Sequence, residues 1–432
     1  MGLAAPLAQA AVIGINQPAP PLTQERLSEL APEQRQAWAQ YLAKSQAQRH
    51  VDIAALAAER AALKAAGVAI PPRPAGGNAD KTMPLNQAVA WYGAAEALRV
   101  ADNIVSFQTP AGGWGKNQPR DGAARLKGQD FVANNNAKTS VAGDFDKAED
   151  PGWSYVGTID NDASVTEIRF LAKVAAQQTG EAAGRLRRSA LKGLQYLLDA
   201  QFPNGGWPQV WPLQGGYHDA LTLNDNATVQ VAKLMGAAAR GEQEFAFVPA
   251  ALRALAGASE RQAIAGLLAA QVSIKGRKTL WAQQYDALTL APTTARNYEP
   301  AALSTSESAA VLIYLMSVPT PPPELMPALV QAVRSGVQVL RELAIEGYAW
   351  RKVGDAEGRR LVAEPGAGPL WARFYRLDDL TPIFGDRDKS LHDDVNEVSL
   401  ERRNAYAWFG SSPAKALAAY QRWPHRLAEP AD

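Results

Sequence analysis

The chain predicts a mainly α-helical fold: an (α/α) barrel or toroid-like body with long irregular loops, few short strands and a small helical unit at the N-terminus. Three observations carry this expectation. Apolar residues recur at helical spacing through one segment after another, while alternating β patterns are scarce. The same Gln, Pro, Gly-Gly-Trp corner also occurs twice, as "QTPAGGWGKN" (108–117) and "QFPNGGWPQV" (201–210), each at the end of a helix-patterned stretch. Repeated corners suit repeated antiparallel helix pairs around a centre. Their glycines would supply positive φ and their tryptophans would pack on the next helix.

Bulk properties narrow the possible functions. With 432 residues, 47% of them hydrophobic, the chain can bury one large core with a small appendage. Forty-four Lys and Arg against 43 Asp and Glu leave a net charge of +1. That balance gives no reason to expect nucleic acid or an anionic membrane held by bulk charge. No run approaches the roughly 18 apolar residues of a membrane span. Cysteine is absent, which excludes disulfides, thiolate metal sites and cysteine nucleophiles.

Taken in order, residues 1–78 form the first unit. The small-x-small pattern at Ala8, Gln9 and Ala10 reads as the tail of a trimmed secretion signal, or as an Ala-rich start. The stretch "LTQERLSELAPEQRQAWAQYLAKSQAQRHVDIAALAAERAALKAAGV" is rich in helix formers and ends at the Pro/Gly loop "AIPPRPAGGNADK". From 79 to 432 the chain reads as one toroid-like body. Helices are expected in "NQAVAWYGAAEALRVADNIVSF", "DASVTEIRFLAKVAAQQ", "GRLRRSALKGLQYLLDAQF" and "DNATVQVAKLMGAAARG". Further ones follow in "PAALRALAGASERQAIAGLLAAQV", "EPAALSTSESAAVLIYLM" and "PELMPALVQAVRSGVQVLRELAI". Asn or Asp marks their starts and Gly or Pro their stops. Only "YAWRKVG" and "LWARFYRL" read as short strands.

Two loops stand out chemically. "TIDNDAS" places Asp160, Asn161 and Asp162 just before one helix, and "LTLNDNAT" places Asn224, Asp225 and Asn226 before another. Either set reads as a helix cap or as hard oxygen ligands suited to calcium. The four histidines form no metal box; His218 lies close to the second acidic loop and is a candidate substrate contact. Three loop arginines, Arg296, Arg373 and Arg387, could grip carboxylates in the bidentate way that lysine cannot. With Trp and Tyr nearby, they suit an acidic sugar polymer. The plain alternative is internal ion pairing, for instance of Arg373 or Arg387 with Asp378, Asp379 or Asp388.

Several blocks in sequence order, "TIDNDASVTEIRFLAKV", "YLLDAQFPNGGWPQVWPL", "LNDNATVQV", "WAQQYDALTLAPTTARNYEPAALSTSESA" and "ARFYRLDDLTPIFGDRDK", resemble the family 10 pectate lyases over roughly residues 78–410. The resemblance implies a secreted, monomeric enzyme that cleaves polygalacturonate by calcium-assisted β-elimination, with neither nucleic acid nor membrane as partner. It also implies that catalysis takes place in an open substrate groove of the 79–432 body. It assigns Asp160 and Asp225 to calcium, Arg296 to the base, and Arg373 and Arg387 to substrate. Asn161, Trp207 and His218 join them as expected substrate contacts. Trp207 is expected to border the groove, as scaffold first and sugar platform second.

Asp162 departs from the family pattern and is either an added ligand or a cap. Like-charge repulsion from calcium and the other arginines is expected to lower the Arg296 pKa and give an alkaline optimum. The rivals are an acid/base hydrolase on the same toroid, a non-catalytic acidic-oligosaccharide binder, and a terpenoid cyclase with similar corners.

Overall fold

The computed structural model describes residues 11–76, 83–133, 143–145 and 153–426. The expected boundary near residue 78 and the small-residue pattern at 8–10 lie outside them. The chain is mostly helical, 48% helix against 12% strand, in keeping with an α/α toroid. Its helices are α1 (Pro32–Ala65), α2 (Ala95–Ser106), α3 (Val165–Gln177), α4 (Gly180–Ala200) and α5 (Ala227–Arg240). They continue as α6 (Ala250–Ala270), α7 (Thr305–Ser317), α8 (Met326–Glu342), α9 (Leu400–Ala405) and α10 (Ser412–Gln421). The pairs α3 with α4 and α5 with α6 pack as hairpins, and α7 packs against α8 and α10. Helices α3, α5 and α7 are neighbours in one layer; α4, α6 and α8 are neighbours in a second.

Seven expected helices are present with small differences at their ends. The largest correction falls at 86–107, where the helix begins only at Ala95 and a separate 3-10 turn spans Val89–Gly93. "YAWRKVG" is a strand, Tyr348–Gly354, paired antiparallel with Gly358–Ala363. "LWARFYRL" splits into two two-residue strands, Trp371–Ala372 and Phe374–Tyr375, with Arg373 between them.

The N-terminal helix shares the main core. Pro32 starts α1 without losing an intrahelical hydrogen bond. Trp38 and Tyr41 then pack on Phe202, with ring centres 5.3 and 5.1 Å away, and the Tyr41 hydroxyl donates to the Ala200 carbonyl at 3.0 Å.

The Gly-Gly-Trp corners explain how the helices are joined. In each, the residue after the glutamine donates its backbone N–H to the residue before the tryptophan: Thr109 to Gly113 at 2.9 Å, and Phe202 to Gly206 at 2.8 Å. The first glycines, Gly112 and Gly205, have φ of +113° and +92°. At the second glycines a Cβ would meet Tyr196 at 2.5 Å and Leu221 at 2.1 Å, so no larger residue fits. The Gln108 and Gln201 amides bridge their own corner and the second helix of the following hairpin, to the Ser189 carbonyl on α4 and the Ser259 carbonyl on α6. Both indole N–H groups donate 2.7 Å bonds to the helix just left, Trp114 to Ile104 and Trp207 to Leu197.

The same device recurs twice more, where sequence spacing hides it. Gln271 and Trp281 form a third corner with a small hairpin inserted: Val272 donates to Leu280 at 3.0 Å, and the indole to Leu267 at 2.7 Å. At the fourth, the Tyr348–Ala363 hairpin is the insertion; Ile345 donates to Leu370 at 2.8 Å, and Trp371 to Leu340 at 2.7 Å. All four tryptophans are fully buried.

Candidate active site

Each corner places its next-but-one residue near the centre of the molecule. Two positions after the four tryptophans stand Lys116, Gln209, Gln283 and Arg373. The first three line a polar cavity of about 220 Å3 together with Asp160, Asn161, Tyr217, Asn224, Asp225, Arg296 and Glu299. Arg373 reaches its edge by donating to Asn224 Oδ1 at 3.3 Å.

The acidic loops are held by the corners. Thr158 and Thr222 donate their N–H groups at 2.9 Å to Trp114 and Trp207 carbonyls. Ile159 and Leu223 donate to the Gln209 and Gln283 carbonyls at 3.1 and 2.8 Å. Ser164 and Thr228 close the loops through hydroxyl bonds to Thr158 and Thr222 carbonyls, at 2.8 and 2.6 Å. The residues at the N-caps of α3 and α5, Ser164 and Asn226, make no side-chain capping bond. Asp162 instead accepts from the Gln230 amide at 3.2 Å.

Asp160 and Asp225, brought into one cavity, differ electrostatically. Asp160 is buried, and its Oδ2 accepts from Lys116 Nζ. Burial opposes its ionisation, but Lys116 and then Arg296 outweigh that and hold its pKa below the usual carboxylate value. Its Oδ1 is buried and makes no hydrogen bond of good geometry, with the Gln209 side chain close enough to favour the ionised form. Asp225 stands exposed at the rim. Crowding by protein atoms and the nearby Asp160 charge push its pKa up to about 6. Gln209, Gln283 and Gln284 add buried Oε1 atoms without partners. An excess of unpaired oxygen acceptors around two repelling carboxylates fits a hard divalent cation. Among the described residues no three Asp, Glu, His or Cys side chains are grouped so that together they could hold a metal ion, so the protein would furnish only part of a coordination shell.

All three expected arginines are paired with glutamates, and none with Asp378, Asp379 or Asp388. Arg296 donates to Glu299 through Nε at 2.8 Å and Nη2 at 2.6 Å. Surrounding protein lowers its pKa, but the Glu299 carboxylate prevails and the pKa lies well above the usual arginine value, not below it as expected. Glu299 in turn is held down to about 2: burial opposes ionisation, but Arg296, Arg373 and the Tyr406 hydroxyl favour it. Arg373 bonds Glu307 at 2.7 Å and lies 4.9 Å above the Tyr406 ring, which also has Arg296 at 5.8 Å. Arg387 is 44% exposed, pairs with Glu401 at 3.1 Å and lies outside the cavity lining.

Two expected substrate contacts are corrected. Trp207 is a wholly buried strut with no face for a sugar, and Trp211 is buried against Tyr196. The segment reaches the cavity through Gln209, lying between them. His218 is also buried: its ring stacks under Tyr217 at 3.9 Å and abuts Trp153 at 4.6 Å. Burial, with Lys116 nearby, lowers its pKa to about 3, so it is neutral at working pH. Tyr217 is the residue that lines the cavity. Sequence reasoning also missed Lys116, Gln283 and Glu299. The offset of two from each tryptophan was a usable signal for the first two, and the i, i+3 spacing from Arg296 for the third.

Comparison with known proteins agrees with this geometry. The pectic acid lyase family profile matches residues 108–417. No curated protein matches the chain. Among solved structures, the family 10 polysaccharide lyase from Cellvibrio cellulosa is 29% identical, with a TM-score of 0.64, covering 79% of this chain and 97% of its own. A point mutant of that lyase in complex with trigalacturonic acid is likewise 29% identical with a TM-score of 0.64, over 80% and 98% of the two chains. The hydrolase, the cyclase and the non-catalytic binder drop out: the chain belongs to the pectic acid lyase family and is a polysaccharide lyase.

Proposed function

We propose that the enzyme cleaves α-1,4-linked polygalacturonate by β-elimination, with a calcium ion held between Asp160 and Asp225 and with Arg296 as the base. The observation that carries this reading is the meeting of two carboxylates, one with a buried oxygen that makes no hydrogen bond of good geometry, and a guanidinium in one cavity. Calcium bound there would draw charge from the uronate carboxyl group as it becomes enolate-like.

The proton leaves carbon 5 of the uronate beside the scissile bond. Its electron pair becomes the 4,5 double bond, the bond from carbon 4 to oxygen breaks, and the departing oxygen takes a proton from water. Glu299 engages Nε and Nη2 of Arg296, and Nη1 takes no part in that clamp. Nη1, once deprotonated, is the nitrogen assigned to receive the carbon-5 proton. Glu299 also stabilises the cation before and after transfer, so Arg296 must shed a proton against it. Turnover should therefore climb with pH well above neutrality. Lys116, Arg373 and Arg387 supply positive charge for neighbouring carboxylates of an acidic polymer. Secretion and a monomeric state follow from the same reading as expectations.

The test is digestion of polygalacturonate followed by the ultraviolet absorbance of unsaturated ends, with and without a calcium chelator. Absorbance that grows, and stops on chelation, supports the reading. Reducing ends without absorbance would overturn it. Arg296→Lys should lower kcat by about a thousandfold, within the range for losing a general base.

A further inference from the structure

The segment before α1 runs across the face that carries Arg296. Ile13 and Asn16 donate backbone bonds to the Leu391 and Lys389 carbonyls at 2.9 and 2.8 Å, making Gly14–Ile15 the edge of a three-stranded sheet with Ser390–His392 and Phe384–Gly385. Of residues 11–20 in this strap only Asn16 is buried, at 4%. Its amide Nδ2 donates to the Asn297 carbonyl at 2.9 Å and faces the Glu299 and Arg296 carbonyls at 3.3 and 3.4 Å. One side-chain donor thus gathers three carbonyls of the turn that bears both Arg296 and its clamp. Asn297 passes the constraint on: its Nδ2 donates to the Arg387 carbonyl at 3.0 Å, and its Oδ1 accepts from Phe145 N–H at 2.8 Å. Further along, Arg26 ties the strap to Asp286 at 2.7 Å.

We infer that Asn16 is a positioning residue for catalysis, fixing the 296–299 turn so that Arg296 keeps its place in the cavity. It touches backbone only and contributes through the turn. The strap lies outside the span of the family match, which begins at residue 108. The inference rests on the lyase reading, because its value to catalysis depends on Arg296 acting there.

The experiment compares Asn16→Ala, Asn16→Asp and Asn16→Ser in the full chain, with Gln17→Ala as neighbouring control. Asn16→Asp keeps the shape but sets carboxylate oxygens against three carbonyls. We expect kcat to fall about 10- to 100-fold in the Ala and Asp variants, the order seen when reacting groups are displaced by about 1 Å. KM should stay within about threefold, Ser should fall between, and Gln17→Ala should match wild type. Hydrogen exchange at the 296–299 amides should speed up in the Ala and Asp variants while α3 and α5 stay protected. Wild-type kcat in Asn16→Asp would overturn the inference, as would unchanged exchange in the turn. If Asn16→Ala does not fold, a folded Asn16→Ser with wild-type kcat and exchange overturns it equally. A wild-type enzyme that makes no unsaturated ends defeats the lyase reading instead, and the exchange result still decides whether Asn16 holds the turn.

Discussion

The loops at 158–164 and 222–228 share a backbone path over their first five residues and are opposites in charge behaviour. Their paths part where Ala163 is extended and Ala227 already begins α5. Each follows a two-residue strand, makes a 3-10 turn with a left-handed residue at its second position, and returns a hydroxyl to the strand. Asn161 has φ 53° and Asp225 has φ 49°, positions that Asn and Asp tolerate better than most residues. What differs in charge is an alternation over three side chains: the first loop reads Asp160-Asn161-Asp162, and the second Asn224-Asp225-Asn226. The same backbone therefore sets one carboxylate inward beside Lys116 and the other outward at the rim. Repetition supplies the frame, and the opposite alternation of Asp and Asn supplies the asymmetry that a binding site needs.

The largest expected effect comes from removing the inward carboxylate. Asp160→Asn removes the charge that pairs with Lys116 and leaves one oxygen for two tasks, and kcat/KM on polygalacturonate should fall about a thousandfold. Next comes a test of whether loop position matters. Exchanging the order in the second loop, Asn224→Asp with Asp225→Asn, keeps net charge but moves the carboxylate one place. It should recover less than about a tenth of wild-type activity. Recovery to the wild-type rate would show that charge alone suffices.

Stability should respond with opposite sign in the two loops. The lowered pKa of Asp160 means its ionised form favours folding, a contribution lost as pH falls through that pKa. Asp225, raised to about 6, favours folding when protonated, and that contribution is lost as pH rises through about 6. Without divalent ions at pH 8, Asp225→Asn should therefore melt roughly 1–3 °C higher than wild type, while Asp160→Asn melts lower. Calorimetry across pH 4–8 checks both signs. The smallest effect on turnover belongs to the corners. Trp207→Phe should cost stability through its lost bond to Leu197, yet leave KM for polygalacturonate within about twofold. A several-fold rise in KM in a stably folded variant would restore the tryptophan as a sugar contact.

The helices were legible because burial of one face demands a 3.6-residue period, and the acidic loops because Asn and Asp cluster where the backbone turns left-handed. Two of the four corners were legible for the same reason: Gly-Gly before Trp is a steric requirement. The other two were hidden because hairpins are inserted between the fixed points, so that Gln271 and Trp281 lie farther apart than their counterparts and Trp371 lacks the glutamine. Trp207 and His218 were misplaced because residue type tells that an aromatic ring will pack, without telling on which side of the chain the solvent lies. The Arg296 pKa departs from the expectation because Glu299, three residues on, clamps the guanidinium with a carboxylate that outweighs burial and repulsion from the other cations.

The central claim is that these two carboxylates act as one cation site for the elimination. Its most direct measurement is a calcium titration of polygalacturonate cleavage at pH 8, read by unsaturated ends, in wild type and Asp225→Asn. The account predicts no activity in chelator and a half-saturating calcium concentration at least about tenfold higher in the variant. Equal titrations in the two proteins, or full wild-type activity in chelator, would contradict it.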